Sequence, residues 1–256
     1  TSPSAHLDTF ARDNLPQRDA WPEMRFDLPE LRYPARLNAA AALLDAQVAA
    51  GRAGHPAVVS DSEALTYAEL RDRAARIAAG LVRDLGLVPG NRVLLRSANT
   101  AWMVAAHFGV WMAGGIVVAT MPLLRAKELR QVLRKARVSH ALCDARLADE
   151  LRLAATDAPD PPRLVLWGDG ELEGLCARHA ADLAPCDTAA DDVCLIGFTS
   201  GTTSEPKGTM HFHRDLLAVC DTYARHVLRP EPSDVFVGSP PLAFTFGLGG
   251  SVLFPF

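Results

Sequence analysis

Residues 97–124 read SANTAWMVAAHFGVWMAGGIVVATMPLL, and none of these side chains is charged at neutral pH. A hydropathy window takes such a run for a membrane span. Its internal punctuation gives a different reading. Asn99 and Thr100 are helix N-cap residue types. Gly114-Gly115 is a helix stop, which leaves a helix of about 14 residues. Ile116-Val117-Val118-Ala119-Thr120 is a β-branched run that Pro122 ends. The stretch is predicted to be a buried helix followed by a buried strand. Arg92–Leu95, entered through the turn Pro89-Gly90, supplies a strand before it. The unit is therefore strand–helix–strand, and its two strands run parallel.

The same alternation continues on both sides. Upstream, Thr66-Tyr67-Ala68-Glu69 has capping-box spacing. The helix it starts lines up Leu70, Ala74, Ile77, Ala78 and Leu81 on one face, and Gly86 is its expected stop. Asn38–Ala50 is a predicted helix and Ala57–Val59 a short strand. Downstream, the helix at 126–137 carries the stripe Leu129, Val132, Leu133 and Ala136. Strands follow at Val138–Cys143, Arg163–Trp167 and Val193–Phe198. The predicted fold class is α/β, with mostly parallel sheets flanked by helices. Residues 1–35, rich in Pro, Arg and Asp, are expected to form an irregular N-terminal arm.

Bulk properties exclude several functions. The chain has 256 residues, 49% of them hydrophobic, and a net charge of −4. Its mean hydropathy is +0.06 and its pI near 6.0. That is a globular composition without the basic footprint of a nucleic-acid binder. Three of the 26 basic residues are lysines, a skew attributed to codon bias. The five cysteines are odd in number and form no Cys-x-x-Cys, which points to reduced, buried thiols. Thr1–Phe10 has neither the basic nor the apolar region of a signal peptide. The expected location is cytoplasmic.

The chemistry is concentrated in Phe198-Thr199-Ser200-Gly201-Thr202-Thr203-Ser204-Glu205-Pro206-Lys207-Gly208-Thr209. Thr199 to Thr203 offer hydroxyls and unobstructed backbone N–H groups, the equipment for wrapping phosphate oxygens. Lys207 adds a point charge. Spacing excludes a Walker A loop, because Lys207 precedes Gly208 instead of following a glycine. Gly247-Leu248-Gly249-Gly250 fails the dinucleotide fingerprint, because Val252 stands where its third glycine belongs.

The loop resembles the phosphate-binding signature of the AMP-forming adenylating superfamily of acyl-CoA synthetases, adenylation domains and luciferases. Residues 66–95, 101–122 and His213-Arg214-Asp215-Leu216 are similar to further segments of that family. Ser204 departs from it, since many members have glycine there. Asp13-Asn14-Leu15-Pro16, Leu31-Arg32-Tyr33-Pro34 and Pro240–Gly249 resemble ligases of the benzoate and 2-aminobenzoate type. The resemblance implies that Thr199, Ser200, Gly201, Thr202, Thr203 and Lys207 bind the phosphates of ATP, with Lys207 also catalytic. It implies that Ala243, Phe244, Thr245, Phe246 and Gly247 line an acyl pocket. Aromatic side chains at 244 and 246 suit edge-to-face contact with a planar ring, whereas fatty acyl-CoA synthetases often have His at the first. Plain core packing is the other reading of both.

The implied reaction joins an aromatic carboxylic acid to AMP from ATP, with Mg²⁺, and passes the acyl group to coenzyme A. Partners are then the aromatic acid, ATP and CoA, with no nucleic acid, no membrane span and a possible homodimer. Family segments for adenine, ribose and Mg²⁺, and the lysine of the C-terminal lid domain, have no counterpart here. Residues 36–256 therefore resemble an incomplete N-terminal adenylation domain, expected to be inactive alone. A domain that loads a carrier protein, a medium- or long-chain acyl-CoA synthetase and a non-enzymatic nucleotide binder remain alternatives.

Weaker signals are read structurally. His211 and His213 would share a face on a strand, but no third ligand is evident, and no metal site is expected. Asp191-Asp192 reads as a solvated turn. Trp102, Met103, Trp111 and Met112 read as helix packing.

Overall fold

The computed structural model describes residues 3–156, 158–199 and 206–256. The α-helices among the described residues are α1 (Phe10–Asp13), α2 (Tyr67–Arg83), α3 (Ala101–Met112), α4 (Ala126–Ala136), α5 (Ala148–Ala155), α6 (Glu171–Ala177), α7 (His213–Val219) and α8 (Thr245–Leu248). A two-stranded antiparallel hairpin pairs β1 (Pro56–Val59) with β2 (Ala64–Thr66). The main sheet holds β3 (Arg92–Arg96), β4 (Ile116–Thr120), β5 (His140–Asp144), β6 (Arg163–Trp167), β7 (Val193–Thr199) and β8 (Lys207–Phe212). Their order is β6-β5-β3-β4-β7-β8. All neighbours are parallel except β7 and β8.

Residues 97–124 divide as their punctuation dictates. The Thr100 hydroxyl accepts a hydrogen bond from the Met103 N–H and caps α3. Gly114 takes φ 74° just past the helix, where a side chain would be strained. At 12 residues α3 is too short to span a bilayer, and no helix among the described residues is long and apolar enough to do so. α3 lies inside the protein, with Met103, Trp111 and Met112 fully buried.

The capping box at Thr66 is present in both halves, and α2 runs from it. α2, α3 and α6 pack with Val93, Leu95 and Val117 on one face of the sheet. α4 and α5 pack with Leu94, Ile116 and Val118 on the other. β3, β4 and β5 are buried over their whole length. That explains why their inner residues are apolar on both faces, since parallel strands are covered on both sides.

Two buried arginines tie the loops at the two ends of β3. Arg92 donates to the carbonyls of Ala136, Gly90 and Arg137, and pairs with Asp8. Arg96 donates to those of Leu147, Met121, Pro122 and Leu124. A planar guanidinium aims five donors along a fixed fork, whereas an ammonium has three at a single point. At these positions the lysine-poor composition has a structural use.

Asp192 departs from the expected solvated turn. It is 3% exposed and accepts hydrogen bonds from the Ser4 hydroxyl and from the N–H groups of Ala5 and Ala189. The N-terminal arm is anchored there, and again where Leu7 and Asp8 donate to the Pro89 carbonyl. A buried carboxylate needs such donors. The predicted helix at 38–50 forms mostly as wide π-helical turns, Ala41–Asp45 and Val48–Arg52.

Candidate active site

β7 and β8 are the two arms of a hairpin. Thr199 lies directly opposite Lys207, Phe198 opposite Gly208, Gly197 opposite Thr209 and Leu195 opposite His211. Opposed residues share a face of the sheet. Ile196, Phe198, Met210 and Phe212 turn to the core covered by α4 and α5. Thr199, Gly197, Lys207, Thr209 and His211 therefore lie on the opposite face. The hairpin thus brings the two ends of the predicted phosphate loop together. Ser200, Gly201, Thr202, Thr203 and Ser204 lie outside the described residues.

The second predicted element reaches the same face. The segment from Pro240 turns into α8, with the Phe244 N–H donating to the Pro241 carbonyl at 3.0 Å. A Cβ placed on Gly197 would stand 3.8 Å from the Thr245 methyl and 3.2 Å from the Thr209 hydroxyl oxygen. Gly197 thus leaves a narrow floor between β8 and α8. A glycine inside a strand is a signal for such close approach, but the sequence reading did not use it. The Thr209 hydroxyl donates to the Gly197 carbonyl at 3.0 Å and lies 3.3 Å from the His211 imidazole.

Phe244 is 41% exposed and Phe246 78% exposed, so neither is a core residue of the described chain. Ala243 is half-buried, Thr245 exposed and Gly247 buried. A Cβ on Gly247 would stand 2.2 Å from the Pro241 carbonyl oxygen. Only glycine lets α8 nest on that backbone.

The histidines separate. His211 lies on β8, whereas His213 is fully buried as the first residue of α7. His213 Nδ1 accepts from the Ala39 N–H at 3.0 Å, and burial pushes its pKa down to about 3. The described residues include no group of three or more His, Cys, Asp or Glu able to hold a metal.

The fold and the converging segments match one enzyme class. The model of the AMP-binding enzyme family matches residues 44–256, and the chain belongs to that family. It is 30% identical over 230 residues to a benzoate–CoA ligase of Thauera aromatica, a match covering 89% of this chain and 44% of that protein. It is 31% identical over 223 residues to a 4-hydroxybenzoate–CoA/benzoate–CoA ligase of Rhodopseudomonas palustris, covering 85% and 41%. The chain thus spans less than half the length of these relatives. Among solved structures, an anthranilate CoA ligase in complex with anthranoyl-AMP aligns with a TM-score of 0.85 at 25% identity. That alignment covers 89% of this chain and 45% of the other.

Proposed function

We propose that this chain supplies the phosphate grip and one wall of the acyl pocket of an AMP-forming acid–CoA ligase for aromatic carboxylic acids of the benzoate or 2-aminobenzoate type. The observation that carries the reading is the convergence of the Thr199–Lys207 hairpin and the Phe244–Gly247 segment on one sheet face. The names of the relatives support the substrate class. On this reading residues 1–35 are an arm, residues 36–256 an incomplete N-terminal adenylation domain, and the C-terminal lid domain lies outside the chain.

The reaction has two steps. A carboxylate oxygen attacks the α-phosphorus of ATP, and pyrophosphate leaves with the electrons of the broken P–O bond. The thiol of coenzyme A then attacks the acyl carbon of the acyl-AMP, losing its proton, and AMP leaves. Neither step needs a protein nucleophile. The protein's part is positioning and charge stabilisation. Lys207, exposed at the start of β8, would meet the phosphates that leave. Phe244 and Phe246 would meet the edge and face of the aromatic ring. Any Mg²⁺ would arrive on the nucleotide. The free cysteines suit a reducing compartment such as the cytoplasm.

Pyrophosphate exchange into ATP by the full-length protein tests the proposal. Exchange is expected with benzoate or 2-aminobenzoate, and none with the 1–256 chain alone. Lys207→Ala is expected to slow exchange roughly 10²-fold, the scale for losing one preorganised charge-stabilising group. Exchange supported only by long-chain fatty acids would overturn the aromatic assignment. An unchanged rate in Lys207→Ala would remove the hairpin from the mechanism.

A further inference from the structure

We infer that Asn99 is a positioning residue that sets the acyl-pocket wall, an inference that rests on the reading of Phe244–Gly247 as that wall. Asn99 follows β3 by three residues, at the carboxyl ends of the parallel strands. The crossover to β4 leaves β3 in one direction, and the crossover to β5 returns past it in the other. Ligand crevices in doubly wound sheets open at such a reversal.

The Asn99 side chain is engaged in a contact distant in sequence. Its Nδ2 donates to the Pro240 carbonyl at 2.9 Å, and its Oδ1 accepts from the Leu242 N–H at 2.9 Å. The two bonds grip the backbone on either side of Pro241, as a neighbouring strand would. They also fix the amide orientation, because the flipped form would face donor to donor and acceptor to acceptor. The adjacent Thr100, not Asn99, caps α3. The role of Asn99 is therefore separable from helix formation.

The grip acts on the wall through a short, stiff path. Leu242 is buried in the core at 4% exposure. Phe244 follows two residues later, its N–H bonded to the Pro241 carbonyl. Gly247 packs on the carbonyls of Pro240 and Pro241. The backbone that Asn99 holds is thus the same backbone on which α8 rests. Releasing it frees the placement of Phe244 and Phe246 without touching the Thr199–Lys207 hairpin.

The test uses the full-length protein with Asn99→Ala, Asn99→Asp and, as a neighbouring control, Thr100→Ala. Pyrophosphate exchange gives KM for the aromatic acid and for ATP separately. Two ordinary hydrogen bonds correspond to a change on the order of tenfold. Asn99→Ala is expected to raise KM for the acid by about that factor and leave KM for ATP within about twofold. Asn99→Asp keeps the acceptor but not the donor, and is expected to fall between. Thr100→Ala is expected to lower Tm and leave the ratio of the two KM values alone. An unchanged acid KM in Asn99→Ala, or equal rises for acid and ATP, would overturn the inference. Hydrogen exchange over residues 242–248 gives a readout independent of substrate. Faster exchange in Asn99→Ala but not in Thr100→Ala supports the grip, and equal exchange in all variants overturns it. Wild-type protein that activates no aromatic acid would instead overturn the proposed function, and the exchange measurement would still judge the grip.

Discussion

Acid should unfold this protein from well above the carboxylate range, and two fully buried histidines are a principal cause. His213 and His107 are both fully buried. Burial lowers His213 to about 3 and His107 to about 4, from an ordinary 6.5. The one hydrogen bond of His107, Nδ1 to the Met103 carbonyl at 2.8 Å, favours the charged ring, and burial outweighs it. His213 receives the Ala39 N–H on Nδ1, so a proton there would break that bond. His6 opposes charge on His213, and Asp192 favours it.

The sign follows from proton uptake. Between pH 6.5 and these depressed values the unfolded chain binds protons that the folded chain refuses. Stability therefore falls as pH falls through that window. At 1.36 kcal/mol per pH unit, the full gap is worth about 5 kcal/mol for His213 and about 3 for His107. Between pH 7 and pH 5 the pair loses about 4 kcal/mol, a large share of a typical 5–15 kcal/mol. His6, His140 and His211 are also lowered by burial and act in the same sense. Asp8, Asp144 and Asp192 are lowered from 3.8 and act only in more acid solution. Urea unfolding followed by tryptophan fluorescence at pH 7, 6 and 5 measures the slope. The double variant His107→Leu plus His213→Asn is expected to have a clearly shallower slope. Equal slopes in wild type and double variant would refute the reasoning.

Three further outcomes follow from single contacts. Arg96→Lys gives up a fork that reaches four carbonyls and should cost about 2–4 kcal/mol in urea unfolding. Thr66→Ala removes one half of the α2 capping box and should cost about 1 kcal/mol, and an unchanged midpoint would show that the box is idle. Gly247→Ala forces a Cβ against the Pro241 carbonyl oxygen and should cost about 1–3 kcal/mol, with a higher KM for the acid than for ATP.

What the sequence made legible was local. Gly114-Gly115 split the uncharged run correctly because a helix stop acts within its own turn. The Thr66 box involves residues three apart. The strand predicted at Val193–Phe198 forms over Val193–Thr199, and the sheet's parallel character followed from strands alternating with helices. The missed features join distant residues. Asn99 reads locally as a cap, yet it bonds 141 residues away. Asp192 reads as solvated, yet Ser4, 188 residues away, covers it. No period or spacing in the chain encodes such meetings. Short α5 and α6 escaped for a different reason: about two turns present too little periodicity to read.

Among the described residues β8 ends the sheet, so one row of its backbone donors and acceptors has no ladder partner. Such an edge invites another chain to add a strand, and proline and lysine at an edge discourage it. Here Pro206 and Lys207 stand at the start of that edge. The lysine proposed to meet the nucleotide thus carries a charge where charge discourages strand pairing. A variant that removes its charge should be checked for aggregation by light scattering before any lost turnover is assigned to chemistry.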